Sequence, residues 1–193
     1  EKYSSSGIAV DVAGSYVSDD NRFVTSLIIA NIGRQLTSFS GNEIEPMNFD
    51  IKLGFMRDLE HVPFKFFILT EHLQTWDLRY DDPNDPENVP DPITGEREEE
   101  AGLEVFADNL MRHFTVGGEF SITQNFHVRG GYNYQRRQEL KVPSRISTVG
   151  FSWGFGFRIS KFHLNYSRST YHLDGSPNYI SVTTNLDDFF DKE

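Results

Sequence analysis

The chain has 193 residues, a formal net charge of −11, 37% hydrophobic and 14% aromatic residues, and no cysteine. These values exclude a disulfide framework, a thiol nucleophile and a thiolate metal site. No apolar run approaches the ~20 residues of a membrane-spanning helix, so helical insertion is excluded as well. The length suits a single domain with a core or a portion of a larger barrel. Charge is segregated: residues 71–110 hold 13 acids and 2 bases, whereas residues 112–172 hold 9 bases and 2 acids. The bases fall on polar strand faces and in loops without a binding motif, so no nucleic-acid partner is expected.

Taken in order, the chain reads as strands. Ile8 to Ala13 and Phe23 to Ala30 come first, with Asn31-Ile32-Gly33 expected to end the second and Gly33 suited to a positive φ. Phe49, Ile51, Leu53 and Phe55 then alternate with Asp50, Lys52 and Gly54, the period-two mark of a two-sided strand. Phe64 to Leu73 is the fourth strand, and the alternation of Trp76, Leu78 and Tyr80 predicts that it projects further. Residues 81–101 are acidic and proline-rich, a composition that cannot bury a core. Leu103, Phe106, Ala107, Leu110 and Met111 recur at three- and four-residue spacing, which predicts a short amphipathic helix ending at Arg112.

Strands resume at Phe114 to Ser121 and Phe126 to Gln135, followed by a predicted loop from Arg136 to Arg145. The next hairpin is the most informative stretch. Phe151, Trp153, Phe155 and Phe157 oppose Gly150, Ser152, Gly154 and Gly156, and Phe162, Leu164 and Tyr166 oppose His163, Asn165 and Ser167. An inward row of large rings is hard to fit in a soluble sandwich. A membrane barrel turns such a row to lipid and keeps small and polar groups inside. Phe151, Trp153, Phe155 and Phe162 are therefore expected to face lipid. Tyr179 to Leu186 completes roughly nine strands.

The links between strands alternate short and long along the chain. Outer-membrane barrels have this asymmetry, with tight periplasmic turns and longer extracellular loops. The fold expected is all-β: an antiparallel up-and-down transmembrane β-barrel, incomplete at about nine strands. One short helix would sit in an acidic extracellular loop spanning 76–112, within a single domain covering 1–193. The start Glu1-Lys2-Tyr3 shows no signal peptide, as expected of a processed or truncated exported chain. With nine strands, an odd number of further strands is expected before Glu1 to close an even barrel.

Catalytic and metal chemistry find little support. His61, His72, His113, His127, His163 and His172 form no His-x-x-x-His or HExxH pattern, so polar-face or loop histidines are the simpler reading. Asp81, Asp82 and Asp85 offer hard oxygens to calcium but lack the spacing of an EF-hand loop, and a solvated acidic loop is preferred. His163 and Ser167 share a strand face, but their offset separates them by about 13 Å, too far for a dyad. No enzyme activity and no cofactor are expected. Trp76, Leu78, Tyr80, Asp82, Phe106 and Leu110 are instead candidate contacts for a protein partner, since aromatic anchors on a long loop suit that role.

Several of these stretches together are similar to the PorV/PorQ family, and most to its PorQ branch. They include Asn31-Ile32-Gly33, Phe49-Asp50-Ile51-Lys52-Leu53-Gly54, Leu59-Glu60-His61-Val62-Pro63-Phe64 and, most specifically, Trp76-Asp77-Leu78-Arg79-Tyr80-Asp81-Asp82-Pro83. Gly117-Gly118-Glu119-Phe120, Phe151-Ser152-Trp153-Gly154-Phe155-Gly156 and Ser169-Thr170-Tyr171-His172 complete the resemblance. Members are outer-membrane β-barrels of the type IX secretion system of Bacteroidetes, with a fold like that of fatty-acid transporters. The resemblance implies the C-terminal part of such a barrel, with about five more strands before it. It also implies a non-enzymatic role in protein secretion, an outer-membrane location, and contact with lipid and other type IX components. A transport barrel for hydrophobic small molecules is the alternative that the related fold suggests. A soluble lipid-binding β-protein is a third, and it requires the aromatic face to point inward.

Overall fold

The computed structural model describes residues 4–38, 44–80, 102–141, 148–171, 175–185 and 189. Nine strands follow one another: β1 (Ser6–Val17), β2 (Phe23–Thr37), β3 (Asp50–Asp58), β4 (Phe64–Thr70), β5 (Phe114–Thr123), β6 (Phe126–Asn133), β7 (Phe151–Ile159), β8 (Phe162–Ser169) and β9 (Asn178–Thr184). Helix α1 (Gly102–Arg112) lies between β4 and β5, and α2 (Tyr134–Leu140) between β6 and β7. All nine strands form one antiparallel sheet in sequence order, with β1 and β9 as its two edges. The sheet is open, and the edges fall on the first and last strands as the sequence predicts.

Directly opposed residues of an antiparallel pair point to the same side, so the register assigns every side chain to a face. On one face Leu27 opposes Leu53, Phe55 opposes Ile68, Ile68 opposes Val116, Val128 opposes Phe155 and Tyr166 opposes Ile180. On the other, Lys65 opposes Glu119, Glu119 opposes Arg129, Arg129 opposes Gly154 and Gly154 opposes Ser167. One face is apolar across the sheet, and the other is largely polar from β5 to β8. Among the described residues, Val149 is the only buried hydrophobic side chain. The sheet therefore lacks the packed apolar core that would hold a soluble sandwich together.

The links sort by end of the sheet. Residues 18–22, 59–63, 124–125 and 160–161 make the turns at one end; the longer connections, after β2, β4, β6 and β8, leave from the other. At the short end, Ser18 accepts the Asn21 N–H on its carbonyl at 2.8 Å, and its hydroxyl accepts the Phe23 N–H at 3.0 Å.

Three expectations need correction. Strand β2 does not stop at Asn31-Ile32-Gly33 but continues to Thr37. The irregularity is absorbed by Asn31, whose φ is 58° and whose N–H donates to Asp11 Oδ1 at 2.7 Å where the β1–β2 register shifts. Gly33 is needed for proximity rather than for a positive φ, because a Cβ there would strike the Ile8 carbonyl and the Ala9 backbone. Next, Trp76, Leu78 and Tyr80 do not prolong β4, which ends at Thr70. His72, at φ 59°, turns the chain away while its N–H donates to Asp50 Oδ1 at 2.8 Å.

The third correction is a second helix. The strand expected to reach Gln135 stops at Asn133, and the predicted loop after it opens as α2. Asn133 caps that helix by accepting the Arg136 N–H at 2.7 Å, which satisfies a donor that the first turn otherwise leaves free.

Candidate functional site

Two surfaces stand out, an apolar belt along the sheet and a cap at its long-loop end. The belt is densest on β7 and β8. Phe151 is 53% exposed and Trp153 51%, whereas Gly154 and Gly156 behind them are buried. Phe155 stacks on Tyr166 with centroids 5.1 Å apart and meets Phe157 edge-on at 5.6 Å, while Phe162 remains 45% exposed. All four residues expected to face lipid thus share the apolar face of the sheet. The aromatic face is not turned into a closed interior, as the soluble lipid-binding reading requires.

The opposite face carries an ionic network. Arg129 donates from Nε to Glu119 Oε2 at 2.6 Å and from Nη1 to Asn165 Oδ1 at 3.3 Å, and its Nη2 lies 3.0 Å from His127 Nε2. Lys65 Nζ reaches Glu119 at 3.7 Å and Asp58 at 3.8 Å. Beside this network, Gly131, Ser152, Gly154, Asn165 and Ser167 line a shallow groove of about 420 Å³. The small side chains leave this room, and the larger ones neighbouring them fill the rest: a Cβ on Gly117 would collide with Phe67, and one on Gly156 with His127. His163 and Ser167 occupy the same face, opposite Arg158 and Gly154. Among the described residues, no three His, Asp or Glu side chains are grouped to hold a metal ion. The calcium candidates Asp81, Asp82 and Asp85 lie outside the described residues.

The cap is built from residues 71–80, α1 and α2. Trp76 packs its ring against Phe106 at 5.2 Å and His113 at 5.7 Å. The Leu78 N–H donates to the buried Asn109 Oδ1 at 3.2 Å. Asp108 is the hub: it accepts Arg112 Nε at 2.7 Å and the Tyr134 hydroxyl at 2.8 Å, with Arg79 Nε at 3.7 Å. Partial burial pushes the Asp108 carboxyl up, but the hydrogen bonds from Arg112 and Tyr134 and the nearby guanidinium charges outweigh it and hold it below the ordinary carboxylate range. Burial, followed by the hydrogen bond to Asp108, raises the Tyr134 hydroxyl above its usual value.

Helix α1 sits with its amphipathicity reversed. Asn109, Asp108 and Arg112 turn toward the cap, while Leu103 is 78% exposed, Phe106 51%, Met111 45% and Leu110 37%. Of the candidate partner contacts, Trp76, Leu78, Phe106 and Leu110 converge on this cap. Tyr80 is 79% exposed at its edge, and Asp82 lies outside the described residues. Sequence reasoning missed Asp108, Asn109, His113 and Tyr134. A usable signal was present in Asn109, a polar residue flanked by Ala107, Leu110 and Met111 in the apolar helical stretch.

Comparison with protein-family models, curated proteins and solved structures finds no match for this chain.

Proposed function

We propose that the chain is part of an outer-membrane β-barrel that serves, without catalysis, as a component of the type IX protein secretion machinery. The observation that carries the membrane part is a nine-stranded sheet with a continuous apolar face, almost no buried apolar side chain among the described residues, and long connections at only one end. A single sheet of this kind needs an apolar solvent on one side, and lipid supplies it. The secretion role rests on the PorV/PorQ-like motifs, above all Trp76 to Pro83. On this reading the long loops are extracellular, and the outward face of α1 with Trp76 and Tyr80 meets other secretion components.

The Lys65–Glu119–Arg129 network favours a contact role over transport of hydrophobic molecules, because an apolar cargo passing along that face would strip water from charged groups. The test is fractionation of native cells, followed by deletion of residues 82–101. The chain should be recovered in the outer membrane, and the deletion should leave insertion intact while stopping secretion of type IX cargo. Recovery in the soluble fraction ends the membrane reading. Normal secretion by the inserted deletion variant ends the assignment of the loop as the contact site.

A further inference from the structure

His113 joins α1 to β5 and is only 5% exposed. Its Nδ1 lies 2.8 Å from the carbonyl oxygen of Glu71, and its Nε2 lies 3.2 Å from the carbonyl oxygen of Trp76. A carbonyl oxygen can only accept, and a neutral imidazole has one N–H. In either neutral tautomer, one ring nitrogen therefore aims a lone pair at a carbonyl lone pair. The imidazolium, with two N–H groups, donates to both. The Trp76 indole stacks on the ring at 29°, offering a π face to the same cation. The backbone is pinned on both sides, since the His113 N–H donates to Leu110 at 3.2 Å and its carbonyl accepts the Glu71 N–H at 3.0 Å. The ring is thus held between two fixed carbonyls.

We propose that His113 is a proton-operated clasp of the cap. With both nitrogens protonated, it ties Glu71 and Trp76 to the end of α1. Loss of one proton to solvent cuts one of the two ties and loosens Trp76 together with Phe106. The charged groups around it belong to every neighbouring element. From the strand ends come Glu71 with its partner Lys52, and Asp50 with His72. From the cap come Asp108 with Arg112 and Arg79, and the Tyr134 hydroxyl of α2. The clasp requires only the cap geometry and stands apart from the secretion role.

The test uses the full chain refolded in detergent micelles, followed from mildly acid to mildly alkaline pH. Ring ¹⁵N NMR of His113 reports its protonation. Amide hydrogen exchange over 71–80 and 102–113, corrected for intrinsic chemistry, reports opening of the cap. Both ring nitrogens should be protonated at the acid end, and exchange should rise about fivefold as one proton leaves, the worth of one net hydrogen bond. His113→Gln keeps a donor nitrogen that does not titrate and should show no such step. A neutral ring at the acid end, or an identical rise in His113→Gln, overturns the proposal. Should His113→Gln fail to fold, the unaltered chain still decides: ring titration and cap opening must share a midpoint, and separate midpoints overturn the clasp.

Discussion

The sheet and the cap both carry amphipathic elements, and in both the apolar side faces out. In the sheet the reversal is uniform: Phe151, Trp153 and Phe157 are 42–53% exposed, and glycines and charged side chains lie on the face behind them. In the cap it is confined to α1, whose polar Asn109 is buried and whose Leu103 stands almost free. A periodic pattern shows that an element has two chemically different sides, but the surroundings decide which side is turned inward. A belt running across nine strands calls for a continuous apolar medium, which on the proposed membrane reading is lipid. A patch of a few side chains on one helix, preceded in the sequence by a stretch rich in carboxylates, suits on the proposed contact role a basic and apolar protein surface better than an anionic membrane surface.

The largest expected effect breaks or keeps the sheet half of this comparison. Arginine in place of Phe155 puts a charge in the middle of the belt, which on the proposed membrane reading faces hydrocarbon. It should cost about 2–4 kcal/mol of stability, read from urea unfolding in lipid vesicles. A cost below about 0.5 kcal/mol, the usual range for surface changes, would place Phe155 in water and remove the belt.

Trp76→Ala should have an intermediate effect. It deletes the ring that joins Phe106 and His113, and each aromatic pair contributes about 0.5–1.5 kcal/mol beyond its burial. The loss should appear as faster amide exchange over 102–113, with the strands unchanged. Faster exchange throughout β7 and β8 would mean that cap and sheet unfold as one unit.

Much of the sheet was legible in the sequence because alternation, aromatic content and link length agree with one another. Phe151 to Phe157 satisfies all three, and every strand expected is present. The failures share a cause: local pattern met a tertiary partner. Asn31-Ile32-Gly33 resembles a strand terminator, yet Asp11 captures the Asn31 N–H and the strand continues past the bulge. Trp76, Leu78 and Tyr80 alternate like a strand, but no strand among the described residues pairs with them, and Asn109 takes the Leu78 N–H instead. Tyr134-Gln135 continues the alternation of β6, although Asn133 followed by Tyr-Gln-Arg-Arg-Gln-Glu-Leu reads equally well as a capped helix. The cap's polar hub was not legible, because Asp108 and Tyr134 are 26 residues apart and meet only once both helices are placed.

Acid should loosen the cap through Asp108. Its carboxyl is held below the unfolded value of roughly 3.9, so its contribution is complete above that pH and disappears as pH falls through the folded value. Tyr134 is the mirror case: its hydroxyl is raised, so its contribution holds below the unfolded value of roughly 10 and is lost as pH rises through the folded one. Exchange over 102–112 should therefore quicken at both extremes, and Asp108→Asn should flatten the acid limb. An acid limb unaltered in that variant would move the titrating group elsewhere.

The smallest expected effect on stability is the most informative about α1. Leu103 is 78% exposed, so arginine there loses almost no packing and should leave unfolding within about 0.5 kcal/mol of the original chain. The same residue type that damages the belt at Phe155 should thus be silent at Leu103 in the isolated protein. In assembled membranes the two should differ again. Leu103→Arg places a cation on the exposed apolar face of α1, and on the proposed contact role a basic partner surface would repel it. Secretion or recovery of outer-membrane partners should fall while the amount of inserted barrel stays constant. If stability, insertion and secretion are all unchanged, the outward face of α1 meets only water, and the contact surface must be sought on Trp76 and Tyr80.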